Sequence, residues 1–343
     1  GIALAEVGKT EEAVSHLEKA VKLQPTNFAT AHHNLGTVLF ELGRVNESIG
    51  GFQVAIEQFQ GRCPMTHYNL GNALYAEGNI DGALAEYRVA IEQQPYFPDA
   101  HRNLGNALAR KGALESAKTY YQMAIQQGDT NPDAYHDLGL VYYGKGQQDE
   151  AIGAFKQALK ANNIDPQTHR GLGLALYERG EIDGAMAEFR VAIEQRKGEF
   201  AEAHHDLGRV LFDQGQAEQA ISEYRLAIEQ RKGHFPKAHY NLGLALKTTG
   251  HYSDAIQELR LAISQQKNNF PEASYQLGKL LARETLLDDA ISCFYTAIEQ
   301  RQGAFPEAYY HLGLAHSRTG DVNSAITSYR RAIEQRRRRF VSS

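Results

Sequence analysis

A chain of 343 residues, 42% hydrophobic and 22% charged, would ordinarily hold two or three globular domains. Its 36 Lys and Arg against 41 Asp and Glu give a formal net charge of −5, which argues against a general nucleic-acid or anionic-membrane binder. No apolar run approaches the roughly 20 residues that span a bilayer and no leader peptide is visible, so the chain reads as soluble, with two unpaired cysteines, Cys63 and Cys293, that fit a reducing, cytoplasmic setting.

From the first residue onward a glycine returns every 34 or 35 residues: Gly1, Gly36, Gly71, Gly105, Gly139, Gly173, Gly208, Gly243, Gly278 and Gly313. That period belongs to stacked helix pairs rather than to one globular core. Residues 1–340 therefore read as one continuous array of ten units with a truncated first, and residues 341–343 as a tail. Gly1 falls in the middle of a unit, which predicts that the chain is part of a longer protein.

Within each unit the first predicted helix contains the anchor glycine and stops at a second glycine seven residues later, from Gly8 to Gly320, with Thr285 the exception. The second helix carries a short polar or acidic residue ten places after the anchor. Asn46, Asp81, Asp149, Asp183, Ser253, Asp288 and Asn323 read there as N-caps. Glu11, Glu115 and Glu218 suit the helix dipole instead. Place twelve is alanine except at Ser48, place nineteen is always alanine, and place sixteen is large and apolar, as in Phe52, Tyr87, Tyr121, Phe155, Phe189, Tyr224, Phe294 and Tyr329. Small residues let backbones approach and the ring fills the space left between them.

Proline in a first helical turn loses no useful hydrogen bond and so marks each new helix. It closes short joints at Pro25 and Pro95 and stands in longer ones, QRKGHFPKA around Pro236 and QRQGAFPEA around Pro306. The segments beginning at Asn79 and Glu181 are nearly identical, which indicates internal duplication. Aligning the final RRRRFV with RQGAFP puts Phe340 at the start of an eleventh unit and the arginine run, Arg330, Arg331 and Arg336 to Arg339, on a solvated end. The last second helix has no unit to cover Val322, Ile326, Tyr329 and Ile333, so that stripe is expected to be exposed, continued by further chain or used in self-association through the array ends.

This pattern closely resembles the tetratricopeptide repeat family over nearly the whole chain. The resemblance implies an all-α fold, a right-handed α-solenoid superhelix of tandem helix-turn-helix repeats, with first helices lining a concave face and second helices outside. The family's usual Trp four places before the anchor is replaced, since the chain has none. His32, His67, His101, Tyr135, His169, His204, His239, Ser274 and Tyr309 stand there, expected to pack with a polar tip.

On the face that the resemblance makes concave, the place two before the anchor holds Asn34, Asn69, Asn103, Asp137, Gly171, Asp206, Asn241, Gln276 and His311. An amide donates and accepts at once, so such a row can hold an extended peptide without choosing its side chains. It is similar to the ladder of O-linked N-acetylglucosamine transferases. One place earlier come Tyr68, Arg102, Arg170, Tyr240, Tyr275 and Tyr310 with His33, His136 and His205, either recognition residues or packing between neighbours. Arg102 and Arg110 beside Asn69, Asn72, Asn103 and Asn106 suit a ligand carboxylate. The clamp by which some family members grip chaperone tails needs further cations, and Asp133 and Asp137 follow instead.

No metal-ligand spacing, strained nucleophile turn or phosphate-binding glycine loop occurs, so no metal, cofactor or catalytic residue is expected. The sequence reads as a non-catalytic scaffold or adaptor that binds protein or peptide segments, without nucleic acid or membrane insertion. The alternative is a substrate-selecting arm of a larger enzyme of the O-linked N-acetylglucosamine transferase kind.

Overall fold

The computed structural model describes residues 1–23 and 28–341. Its helices form antiparallel pairs in chain order: α1 (Ile2–Glu6) with α2 (Thr10–Leu23), α3 (Ala29–Glu41) with α4 (Val45–Gln58), α5 (Pro64–Glu77) with α6 (Ile80–Gln93), α7 (Pro98–Arg110) with α8 (Leu114–Gln126), and α9 (Pro132–Gly144) with α10 (Gln148–Ala161). There follow α11 (Pro166–Arg179) and α12 (Ile182–Gln195), α13 (Ala201–Asp213) with α14 (Ala217–Gln230), α15 (Pro236–Thr248) with α16 (Tyr252–Gln265), α17 (Pro271–Arg283) with α18 (Leu287–Gln300), and α19 (Pro306–Thr319) with α20 (Val322–Val341). No strand occurs among the described residues. By contacts the chain divides into two compact units, Gly1–Gly180 and Glu181–Ser343.

The anchor glycine is dictated by the aromatic at place sixteen. A Cβ added at Gly71 would stand 2.5 Å from ring atom Cε1 of Tyr87, and one at Gly105 would stand 2.7 Å from the same atom of Tyr121. Both rings are fully buried where the two helices of a pair touch. The second glycine has a different cause. Gly78 closes α5 with φ 95°, and Thr285 takes the same left-handed turn with φ 65° despite its branched side chain.

Successive pairs are tied by the glutamine that ends the AIEQ segment, AISQ at Gln265. Gln93 Nε2 donates to the Gly61 carbonyl at 2.7 Å, Gln230 to Gly198 at 2.7 Å and Gln265 to Gly233 at 2.6 Å. Each bond satisfies a carbonyl in a joint whose backbone turns left-handed, as at Lys232 (φ 52°) and Gly233 (φ 79°).

Two expectations are corrected. The second helices begin two residues earlier than read from sequence, so Asp81, Asp149, Asp183 and Asp288 lie in the first turn, where their charge favours the dipole, Asn46, Ser253 and Asn323 lie there uncharged, and the side chains that cap a second helix by a hydrogen bond are Asn79 and Asp321. Asn79 Oδ1 accepts from Gly82 N and Asp321 Oδ1 from Ser324 N, both at 3.0 Å. Phe340 opens no eleventh unit, because α20 runs unbroken to Val341. The earlier joints need a left-handed pair such as Gln302 and Gly303. Arginines are good helix formers, and no glycine or proline interrupts them. Pro25 lies outside the described residues; Pro98, Pro132, Pro166, Pro236, Pro271 and Pro306 each open a first helix.

Candidate functional site

In Gly1–Gly180 the first helices present a row of half-buried amides. Asn34 on α3 and Asn69 on α5 keep their amides unbonded among the described residues. Asn72 and Asn103 are linked: Tyr87 Oη donates to Asn72 Oδ1 at 2.8 Å, and Asn103 Nδ2 donates to the same oxygen at 2.8 Å and to Tyr68 Oη at 3.2 Å. Tyr121 Oη donates to Asn106 Oδ1 at 2.6 Å in the next pair. Asparagine follows the anchor in only two units, and both have tyrosine at place sixteen, a pairing that sequence could have revealed.

Two pockets open on this face and share Tyr75 and Asn106. One, of about 280 Å³, is bounded by Phe40, Tyr75, Tyr87, Asn72 and Asn103. The other, of about 340 Å³, is bounded by Tyr75, Tyr121, Leu140, Arg110 and Asp137. Arg110 lies 5.2 Å from the Tyr75 ring centroid. Arg102 is already engaged, its guanidinium donating to Asp99 at 2.7 Å and to Asp129 at 3.1 Å. The Asp137 carboxyl is pushed up to about 6, by burial first and by Asp133 second, with Arg102 opposing. Arg170 is half-buried on α11.

In Glu181–Ser343 the same places pack more tightly. Asp206 is buried, 4% exposed, with His205 Nδ1 at 3.3 Å, and Asn241 Nδ2 meets His205 Nε2 at 3.0 Å. Rings one place earlier lean on the phenylalanine that precedes the next first helix: Tyr240 on Phe270 and Tyr275 on Phe305, each with centroids 5.0 Å apart, as Tyr68 does on Phe97. Tyr310 remains exposed beside Tyr329, 5.9 Å away. Gln276 Oε1 accepts from Lys247 Nζ at 3.1 Å, and Lys279 stands 5.4 Å from the Tyr275 ring. Burial and the charge of Lys279 hold Lys247 below the usual lysine range. These two lysines escaped the sequence reading because they recur in no other unit.

The model described as Cilia and flagella-associated protein 70 C-terminal domain, a tetratricopeptide array, matches residues 3–241, and that of the tetratricopeptide repeat matches 236–269 and 306–338. The chain belongs to this tetratricopeptide-repeat family. Its fold is similar to that of human IFIT1, solved as a dimer with PPP-AAAA, at 18% identity over 96% of this chain and 88% of that one, TM-score 0.53. It is similar also to Pseudomonas aeruginosa pilF, at 20% identity over 57% of this chain and 88% of that one, TM-score 0.52. A weaker likeness, TM-score 0.48, is to YrrB, described as a TPR protein with an unusual peptide-binding site, at 25% identity over 58% of this chain and 97% of that one. No curated protein matches the sequence. Among the described residues of this tetratricopeptide array, no helix is long and apolar enough to cross a membrane.

Proposed function

We propose that the array is a non-catalytic adaptor that holds extended peptide segments along its first helices. The observation that carries this reading is the pair of adjoining pockets in Gly1–Gly180, where aromatic walls meet amides that can bond to a peptide backbone. Asn34 and Asn69 offer donors and acceptors to a ligand, whereas Asn103 and Asn241 also hold their neighbours in place. A polypeptide is favoured over RNA because acidic residues outnumber basic ones and the pocket beside Asn106 holds a carboxylate.

Replacing Asn34 and Asn69 together by Ala is expected to weaken several unrelated peptides by similar factors, each lost bond contributing about 0.5–1.5 kcal/mol. Unchanged peptide affinity with an intact circular dichroism spectrum removes the amide row from the mechanism. Oligoribonucleotides that bind more tightly than any peptide overturn the adaptor reading.

A further inference from the structure

The amide network of Gly1–Gly180 has one position where its chemistry reverses. Between α5 and α7 the second member is Asn103, whose Nδ2 donates to Asn72 Oδ1. Between α7 and α9 the corresponding member is Asp137, which brings oxygens and no N–H to the same place. Asn106 Oδ1 already accepts from Tyr121, as Asn72 does from Tyr87. Among the described residues, no hydrogen bond or ion pair reaches the Asp137 carboxylate. It bounds an open pocket of about 340 Å³ whose wall also includes Tyr75, Tyr121, Leu140 and Val141, together with Arg110.

The two nearby arginines do not neutralise it. Arg102 is held by Asp99 and Asp129. Arg110 is drawn to the Tyr75 ring, on the wall shared with the neighbouring pocket. A half-buried carboxylate without a donor favours a ligand that brings one, and an ammonium or guanidinium forms the stronger, charge-assisted bond. The aliphatic stem of such a side chain can lie along Leu140 and Val141 with its charged head at the carboxylate. The adjoining pocket, with Phe40, Tyr75 and Ala76, suits an apolar side chain.

Spacing fixes how far apart the two side chains stand. Neighbouring helices pack about 10 Å apart, and an extended chain of polyproline II type advances about 3.1 Å per residue with three residues per turn, so side chains about three residues apart return to one face at about the spacing of the two pockets. We propose that this face reads an extended protein segment bearing a lysine or arginine about three residues from a large apolar side chain, the basic group seated at Asp137 and the apolar one against Phe40 and Tyr75. The proposal rests on the peptide-holding reading above and adds to it a defined ligand chemistry.

The test is selection of a random twelve-residue peptide library, displayed on phage, against the full chain at pH 7.5 and moderate salt, in parallel with Asp137→Asn and Arg110→Ala. Asp137→Asn restores the amide that the neighbouring network carries and should fold normally, which circular dichroism and thermal melting check. Peptides enriched on the wild type should carry Lys or Arg at the stated distance from Leu, Phe or Tyr. A selected peptide should lose at least about fivefold in affinity when its basic residue becomes Gln. On Asp137→Asn that difference should vanish while the apolar preference persists, and Arg110→Ala should bind the basic peptides at least as well as the wild type does. Enrichment without a basic position, enrichment of acidic peptides, or a basic preference unchanged in Asp137→Asn overturns the inference and leaves peptide holding intact. No enrichment on any of the three proteins overturns peptide holding itself.

Discussion

His204 Nδ1 lies 2.6 Å from Glu223 Oε2, while its Nε2 faces the Gly198 carbonyl at 3.0 Å. The same arrangement recurs at His239, with Glu258 and the Gly233 carbonyl, and at His67, with Glu86 and the Gly61 carbonyl. These histidines occupy the place where the family has tryptophan. Each ties the second helix of its pair to the joint before the first, a polar substitute for a bulky apolar contact.

At His204 and His239 both ring nitrogens face acceptors, which favours the imidazolium. Burial alone lowers the pKa, but the glutamate hydrogen bond, the carbonyl and the carboxylate charge together outweigh it, so both groups are raised. A raised folded-state pKa contributes stability that is fully present below the unfolded value near 6.5 and is lost as pH rises through the folded one. These two groups therefore raise the melting temperature at pH 6 relative to pH 8, while His33, His136 and His311, lowered by burial, act the other way. The double variant Glu223→Gln, Glu258→Gln should lose melting temperature at pH 6 relative to pH 8 when compared with the wild type, and an unchanged pH 6 to pH 8 difference would assign the pH dependence to other groups.

Gly71→Ala and Gly105→Ala should destabilise by about 1–3 kcal/mol, because the new methyl meets the Tyr87 or Tyr121 ring inside van der Waals distance. Gly50 and Gly153, also helical, have nothing within 4 Å of an added Cβ. Alanine there should stabilise by about 0.5–1 kcal/mol. Chemical denaturation of the four variants distinguishes glycines kept for packing from those that are not.

Arg102→Ala should cost about 3 kcal/mol, since Asp129, with a side chain only 6% exposed, loses its partner. Asp99, at 55%, stays solvated and adds little. If denaturation shows a loss below about 1 kcal/mol, the guanidinium is free for a ligand carboxylate after all.

Val322, Ile326 and Ile333 of α20 are 62%, 44% and 54% exposed, whereas the corresponding Tyr252, Ile256 and Ile263 are half-buried. Ile326→Glu with Ile333→Glu should leave stability within about 0.5 kcal/mol, because neither side chain is in the core. Light scattering over a range of concentrations should show less association in this variant if the stripe joins molecules. Equal association places the contact elsewhere.

The glycine period, the alanines and the aromatic at place sixteen were enough to determine the helix pairs, because each is a short-range steric requirement repeated in every unit. Gly71 and Tyr87 show why: they lie sixteen residues apart in sequence and touch within one pair. Helix starts were misplaced by two residues because an acid in the first turn and a true cap are chemically alike, and only the backbone separates Asp81 from Asn79. What a side chain contributes to the open face depended mainly on partners from a neighbouring unit, 27 to 36 residues away. Arg102 is engaged by Asp99 and by Asp129, Asn241 meets His205, and Tyr240 leans on Phe270, so residues that look equivalent along the chain are not equally available. Asp206 and Asp137 occupy the same place in their units, yet one is buried beside a histidine and the other is left without a partner in an open pocket. Local sterics repeat with the sequence, whereas electrostatic pairing depends on which neighbour each unit meets, and only the tertiary structure decides that.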